Sequence, residues 1–453
     1  MLDPALFDRV HIIGVGGAGM SAIARILLES GSHVSGSDRA ANDLTRALAR
    51  DGATIYEGHA AANVQGAKVV LISSAIKADN PEVIAARAQG IPILDRRDSF
   101  RYLLPGKTQI AVAGTKGKTT TAALIVHLLR ELGRDPSYIV GGTMLNTGDN
   151  AHVGQGDAFV VEADEYGYMF LGLTPRIAVI TNIEHDHPDM FPTLEDMVAA
   201  FRQFLALLPH DGIYISGVDR EAQRLGAELE LAGREVVEVI YAEDMPGLKD
   251  YLPISLMGAH NLINAVLATI TVVAYDRIGK KDYDSHDAIH DILLALTSFK
   301  GTSRRFEIMG KTTNNVTIVS DYGHHPMAIR ATLEAAKARY PDTPIWAVWQ
   351  PHTYSRTKAL ADDFVRAFKG SAHALVMDIY PAREGPIPST PTESELAERI
   401  RATGHPDARR SGNIEATAAL LEREAGSGDL VIFFSAGDAP RVGEILLKKA
   451  VHE

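Results

Sequence analysis

Short β-branched apolar runs alternate with helical patterns from one end of the chain to the other, and nothing else limits its fold so sharply. VHIIGV, KVVLIS, QIAVAG, AFVVEA, RIAVITN, VTIVSDY, IWAVWQ, HALVMDI and LVIFFSA are apolar throughout rather than at every second position. Strands of that kind are covered on both faces, which predicts an α/β protein of parallel sheets flanked by helices. A length of 453 residues suits about three domains. LLPGK at 103–107 and SFKGTSRRFE at 298–307 mark the joins, and predict domains over 1–105, 106–302 and 303–453.

A formal net charge of -12 removes the electrostatic case for non-specific binding to nucleic acid or an anionic membrane, so an anionic substrate must be met by local cations. The chain has no cysteine, which excludes disulfides, thiolate nucleophiles and cysteine zinc sites and fits a reducing compartment. MLDPALFDRVHIIG carries acids where a secretory signal carries bases, and the richest apolar stretch, 262–275, is too short to span a bilayer. A soluble cytoplasmic protein acting on small molecules, monomer or homodimer, is expected.

The clearest chemistry lies at 109–130, QIAVAGTKGKTTTAALIVHLLR. An apolar strand runs into a turn with Gly114, Thr115, Lys116, Gly117 and Lys118, and the hydroxyls of Thr119, Thr120 and Thr121 open an amphipathic helix. Unpaired N–H groups and the helix dipole favour phosphate there, Lys118 adds a full charge, and Thr119 can ligate the magnesium of ATP. The glycines are spaced more closely than in the standard Walker loop, so a shorter turn is predicted.

Two neighbouring strand ends then carry acids and imidazoles: Glu162, Asp164 and Glu165 in one, Asn182, Glu184, His185, Asp186, His187 and Asp189 in the other. Beside a phosphate turn they suggest a magnesium site. GAHNLINA places Asn261 and Asn264 on one face of a helix start, as caps or as nucleotide contacts. In the first domain Gly14, Gly16 and Gly19 follow a strand and open a helix, with Asp38 at the distance of a ribose-binding acid; alone, this reads as a dinucleotide or other diphosphate site. Ser73 and Ser74 end another strand on that edge. In the third domain Arg304 and Arg305 precede SDYGHHP and QPHTYSRTK, which gather Asp321, His324, His325, His352, Tyr354 and Arg356 on one sheet edge.

GVGGAGMSAIA, SSAI with NPE, GTKGKTTT, EADE, TNIEHDHPD, HNLINA, GTSRRF, DYGHHP, QPHTYSRT and IYPARE stand in the order found in the Mur ligase family, and the chain resembles that family over nearly its whole length. The resemblance implies a Rossmann-like N-terminal domain for a UDP-sugar, a central P-loop ATPase-like domain with a mostly parallel sheet, and a Rossmann-like C-terminal domain for the amino acid. DYGHHP and QPHTYSRT resemble the branch that joins L-alanine to UDP-N-acetylmuramate with ATP and Mg2+, through an acyl phosphate, in peptidoglycan synthesis. The absence of lysine between Lys118 and Lys249 agrees, since sister branches use a carbamylated lysine there.

By position, the resemblance makes Gly114, Thr115, Lys116, Gly117, Lys118, Thr119, Thr120, Asn261, Asn264 and Arg305 the ATP contacts, with Thr119, Glu162 and His187 as metal partners. Gly14, Gly16, Gly17, Ala18, Gly19, Met20, Ser21, Asp38, Ser73 and Ser74 would face the UDP-sugar. His325, His352, Tyr354 and Arg356 would surround the amino acid, Asp321 would act with Arg305, and His324 or His325 is a candidate base for the amine. Lys116 stands where the family usually has histidine, and PIPSTPT replaces the usual PIPGV. Two other readings are an NAD-dependent oxidoreductase, resting on the first glycine turn, and the recycling ligase that attaches a tripeptide to the same sugar nucleotide.

Overall fold

The computed structural model describes residues 3–449 apart from 188–189, 239–250, 253–255, 257, 279–284 and 383. All nine apolar runs are strands, distributed over three sheets among the described residues. The first holds β1 (Arg9–Ile13), β2 (His33–Asp38), β3 (Thr54–Glu57), β4 (Val69–Ile72) and β5 (Ile93–Asp95) in the order β3-β2-β1-β4-β5, every pair parallel. Winding reverses between β1 and β4, and in such sheets the crevice outside the strands' carboxyl ends at that point is where ligands bind. The glycine turn leaves β1 there, and Ser73 leaves β4.

The central sheet holds β6 (Thr108–Ala113), β7 (Ser137–Ile139), β8 (Ala151–His152), β9 (Ala158–Glu162), β10 (Ile177–Ile180), β11 (Ile213–Ser216) and β12 (Glu235–Glu238), in the order β12-β11-β10-β6-β9-β7-β8. Its pairs are parallel except β7 with β8. β6 sits between β9 and β10, so the phosphate-type turn and both acid-rich strand ends emerge side by side. The helix Lys118–Glu131 behind that turn is buried on every side from Thr121 to Leu129, as a helix enclosed in a core must be. The third sheet holds β13 (Glu307–Lys311), β14 (Thr317–Asp321), β15 (Ile345–Trp349), β16 (His373–Met377), β17 (Ala408–Gly412) and β18 (Leu430–Phe434), in the order β13-β14-β18-β15-β16-β17, with only β13 antiparallel.

The chain divides into two compact units, Met1–Pro253 with Ala259–Phe299, and Ile254–Gly258 with Lys300–Glu453. In the first, one continuous apolar cluster runs from Ile12 and Leu71 of the N-terminal sheet and Ile23 of the helix Ala18–Glu29 to Phe159 of the central sheet and to Phe170 and Phe204 of the helical segments Tyr166–Gly172 and Leu194–Leu205. No helix among the described residues is long and apolar enough to cross a membrane.

A buried carboxylate ties the first sheet together. Glu82, in the helix Pro81–Ala88, accepts hydrogen bonds from the Ser37 hydroxyl of β2 (2.6 Å) and the Asn63 amide (2.6 Å), and lies 3.6 Å from His11 Nε2 of β1. Burial alone would raise its pKa, but the attraction of His11 and the hydrogen bonds from Ser37 and Asn63 outweigh burial and bring it from 4.5 down to about 2. A depressed folded pKa stabilises fully above 4.5 and is lost as pH falls toward 2. Glu82→Gln should therefore cost about 2–3 kcal/mol at neutral pH, and the gap from the parent protein should close between pH 4.5 and 2 in urea denaturation. A gap that stayed constant over that range would show that the carboxylate's charge contributes nothing.

Candidate active site

The turn after β6 depends on two left-handed glycines. Gly114 has φ 128° and its missing Cβ makes room for Thr181 Oγ1; Gly117 has φ 85° at the helix N-cap, against Asn264 Oδ1. The turn is pinned to the end of β10 by a dense set of bonds. Thr115 N donates to Asn182 O (2.9 Å), Lys116 N to Asn182 Oδ1 (2.9 Å), and the Thr181 hydroxyl to Lys116 O (2.6 Å). Lys116 also forms an ion pair with Glu184, whose backbone N–H donates to the Thr115 hydroxyl (2.9 Å).

Lys118 opens the helix and folds back over the turn. Its ammonium donates to Gly114 O (2.5 Å), Thr115 O (3.2 Å) and Glu165 Oε1 (3.1 Å), and lies 2.9 Å from Glu165 Oε2. Burial pulls the lysine's pKa down, but Glu165, Asp164 and Glu162 outweigh that and hold it above 10.5, so it stays charged. Beside it the Thr119 hydroxyl donates to Glu162 Oε1 (3.0 Å), and Gly141 N donates to the other carboxylate oxygen (2.6 Å). Thr120 is half-buried in the same turn.

His187 is held in the left-handed region at φ 53°, a strained conformation for a bulky residue. Its Nε2 lies 3.7 Å from Glu165 Oε1 and its ring 4.9 Å from that of Tyr166. Thr119 and Glu162 are thus brought together, while His187 faces Glu165. Among the described residues no three His, Asp or Glu side chains form a ready metal cluster, and Asp189 lies outside those residues. Asn264 is buried in the helix Ala259–Arg277 and donates to Asn261 Oδ1 (3.2 Å), one turn earlier on the same face.

In the N-terminal sheet, Gly14 (φ 80°) starts the turn and leaves space for Ser73 Cβ. Gly17 caps the helix Ala18–Glu29 without any side-chain bond. Asp38 is spent on this turn: Oδ2 accepts from Gly16 N (2.8 Å) and Oδ1 from Arg39 N (2.7 Å). Met20 is buried in the core, the Ser21 hydroxyl donates to Ala18 O (3.0 Å), and Ser73 Oγ accepts from Ala75 N (3.4 Å), with Ser74 next along the turn.

In the second unit, both Asp321 oxygens accept backbone N–H groups, Phe306 N at 3.0 Å and Gly323 N at 2.7 Å. The guanidinium groups of Arg304 and Arg305 lie over the Tyr322 ring at 5.1 and 5.0 Å, and Arg304 donates to Ser435 O and Gly437 O. The His324 and His352 rings are 6.0 Å apart, and His352 Nδ1 lies 3.3 Å from Arg356 Nη1. His324 Nδ1 donates to Tyr322 O (3.0 Å); burial first, then the charge of Arg356, depresses its pKa to about 3. His325 accepts from Met327 N (3.4 Å) as the N-cap of the helix Pro326–Arg339. Tyr354 and Arg356 belong to the helix Tyr354–Ala359, whose cap Thr353 is strained at φ 65° and whose start is held by Glu384 bonds to Ser355 N (2.9 Å) and Oγ (2.5 Å).

Glu165, Glu384 and Glu82 are the carboxylates that reading along the chain left without an assigned role. All three stand in motifs quoted above without a role of their own: Glu165 is the last acid of EADE, three residues after Glu162 and past the strand end, Glu82 closes NPE and Glu384 closes IYPARE.

The chain belongs to the Mur ligase family. Its residues 9–107 match the Mur ligase family catalytic domain, 112–272 the Mur ligase middle domain and 304–437 the Mur ligase glutamate ligase domain. A UDP-N-acetylmuramate--L-alanine ligase of Desulfatibacillum aliphaticivorans is 37% identical over 97% of this chain and 98% of its own; the one of Roseiflexus sp. (strain RS-1) is 39% identical over 96% and 98%. The crystal structure of UDP-N-acetylmuramate-alanine ligase from Thermotoga maritima shares the fold with TM-score 0.78 at 23% identity, covering 98% of this chain and 99% of that one. A murein peptide ligase from Psychrobacter arcticus shares it with TM-score 0.64 at 23% identity, covering 97% and 98%.

Gly117→Ala should be destabilising twice over: about 1–2 kcal/mol for a left-handed alanine, plus overlap of its Cβ, 2.5 Å from Asn264 Oδ1. In an Asn264→Ala background only the first part should remain. Equal losses in the two backgrounds, by chemical denaturation, would show that Asn264 is not what this glycine accommodates.

Proposed function

We propose that the chain uses ATP to join L-alanine to UDP-N-acetylmuramate, forming UDP-N-acetylmuramoyl-L-alanine for peptidoglycan synthesis in the cytoplasm. The observation that carries this reading is the charged Lys118 and the Thr119–Glu162 pair at one helix start, in a chain whose alanine-adding relatives match it almost end to end. The domains take the roles of UDP-sugar binding (1–105), ATP binding (106–302) and amino-acid binding (303–453). Asp38 gives one acceptor site of each oxygen to its own turn, and what favours a sugar nucleotide over NAD is the match to alanine-adding relatives over nearly the whole chain.

The Thr119 hydroxyl and Glu162 carboxylate are hard oxygen donors that would hold a magnesium ion, with His187, which faces Glu165, as the further partner that the family resemblance implies. Bound there, magnesium supplies charge neutralisation to the transferring phosphoryl group. In the first step the lactyl carboxylate oxygen attacks the γ-phosphorus and ADP leaves, so a C–O–P bond replaces the P–O bond of ATP. Two anions approach each other, and Lys118 offsets their repulsion while the turn's N–H groups and Asn264 hold the nucleotide. Arg305, with Asp321 fixing its segment, takes part in the same neutralisation.

In the second step the alanine nitrogen attacks the acyl carbon and phosphate leaves from the tetrahedral intermediate. Arg356 and His352 bind the amino-acid carboxylate, with Tyr354 and His325 at the rim. His324 presents a neutral Nε2, since its other nitrogen donates to Tyr322 O. With a pKa near 3 it accepts a hydrogen bond from the amine rather than holding its proton, until an anion beside Arg356 offsets that charge and raises it.

Phosphate release should require UDP-N-acetylmuramate, ATP and an amino acid together and be fastest with L-alanine across a panel; no release with that set would end this reading. Lys118→Met should lower turnover at least about 1000-fold with UDP binding unchanged, and normal turnover would remove the lysine from the mechanism. His324→Asn should slow the amine step in single turnovers while leaving ADP formation intact; unchanged amine kinetics in a His324→Asn/His325→Asn double variant would dismiss both as bases.

A further inference from the structure

Arg96 follows β5 directly, at the carboxyl edge of the first sheet, as the first residue of the short helix Arg96–Ser99. Its guanidinium lies against the first turn of the helix Ala18–Glu29. A Cβ on Gly19 would be 2.6 Å from Arg96 Cζ and 2.9 Å from both Nε and Nη1, so the absence of a side chain at 19 is what admits it. This is the wrong end of a helix for a cation: the dipole is positive there, the first N–H groups lack intrahelical partners, and Gly17 provides no side-chain cap.

Compensation is partial: the guanidinium stands over the Phe100 ring at 5.8 Å and faces Asp164 at ion-pair distance. Arg96 Nε is shielded from solvent without a hydrogen-bond partner, and the nearest carboxylate, Asp164 Oδ2, is 3.9 Å from Nη1, beyond hydrogen-bond reach. Asp38, the other acid at the turn, already accepts from Gly16 and Arg39. A positive fork and a positive helix start facing each other are reconciled by an anion between them, and a diphosphate offers oxygens to both.

We propose that Arg96 is a substrate-binding residue that clamps the diphosphate of the UDP-sugar against the Ala18–Glu29 helix start. The proposal rests on the first domain taking a uridine diphosphate. Because Arg96 also lies toward Asp164 of the EADE segment, and its helix packs on the turn Tyr166–Gly172, the clamp ties the sugar nucleotide's position to the segment that holds Lys118.

The test is calorimetric titration of the full chain and its Arg96→Gln and Arg96→Lys variants with UDP and with uridine, beside thermal unfolding and KM for each substrate. Arg96→Gln should weaken UDP at least 10-fold, leave uridine unchanged, and raise KM for UDP-N-acetylmuramate but not for ATP. Arg96→Lys should fall between, keeping the charge but losing the fork. UDP bound equally by the parent and Arg96→Gln, or UDP and uridine weakened in parallel as a merely structural role would require, overturns the proposal. Failure of the parent protein to bind UDP at all overturns the domain reading beneath it instead.

Discussion

A charged lysine enclosed at a helix start is the constraint around which the central domain is arranged. Lys118 has left most of its water, and an ammonium in that position persists only if its protons and charge are met locally. Two turn carbonyls and the Glu165 carboxylate do so, and the carbonyls point inward only because Gly114 and Gly117 take conformations that a side chain resists. The same left-handed turn leaves the helix N–H groups facing outward. The cation and the anion-attracting helix end are therefore products of one backbone shape.

That arrangement is reinforced from the neighbouring strands. β9 ends in Glu162, which joins Thr119 to Gly141, and the segment beyond β10 locks the turn through Thr181, Asn182 and Glu184. Lys116, the residue that departs from the family's usual histidine, is one of these locks through Glu184. Its charge is thus engaged in holding the turn.

How much of this was legible along the chain depended on whether the signal was local. β1, β4, β6, β9, β10, β14, β15, β16 and β18 read directly, since a strand buried on both faces is apolar throughout. β2 (HVSGSD), β5 (ILD) and β17 (ARRSG) did not: β5 and β17 are sheet edges, β5 only three residues long, and β2, though paired on both sides, carries serine and glycine that resemble a loop. The turn after β6 was equally legible, its glycines, lysine and hydroxyls lying within a few residues. The partners of that lysine were not: Glu165 is 47 residues away, and EADE does not say which of its acids turns inward.

The order of residues alone determined the α/β class, the glycine–lysine turn after β6 and the family, because periodicity, glycine placement and motif order are properties of neighbours in the chain. Tertiary structure decided how each charged group is used. It set Asp38 on its own glycine turn, Glu165 on Lys118, Glu82 beneath the first sheet and Arg96 on Gly19. Whether a carboxylate or guanidinium is free for a ligand depends on which groups the fold brings within about 3 Å of it, and that distance is set by packing between remote segments.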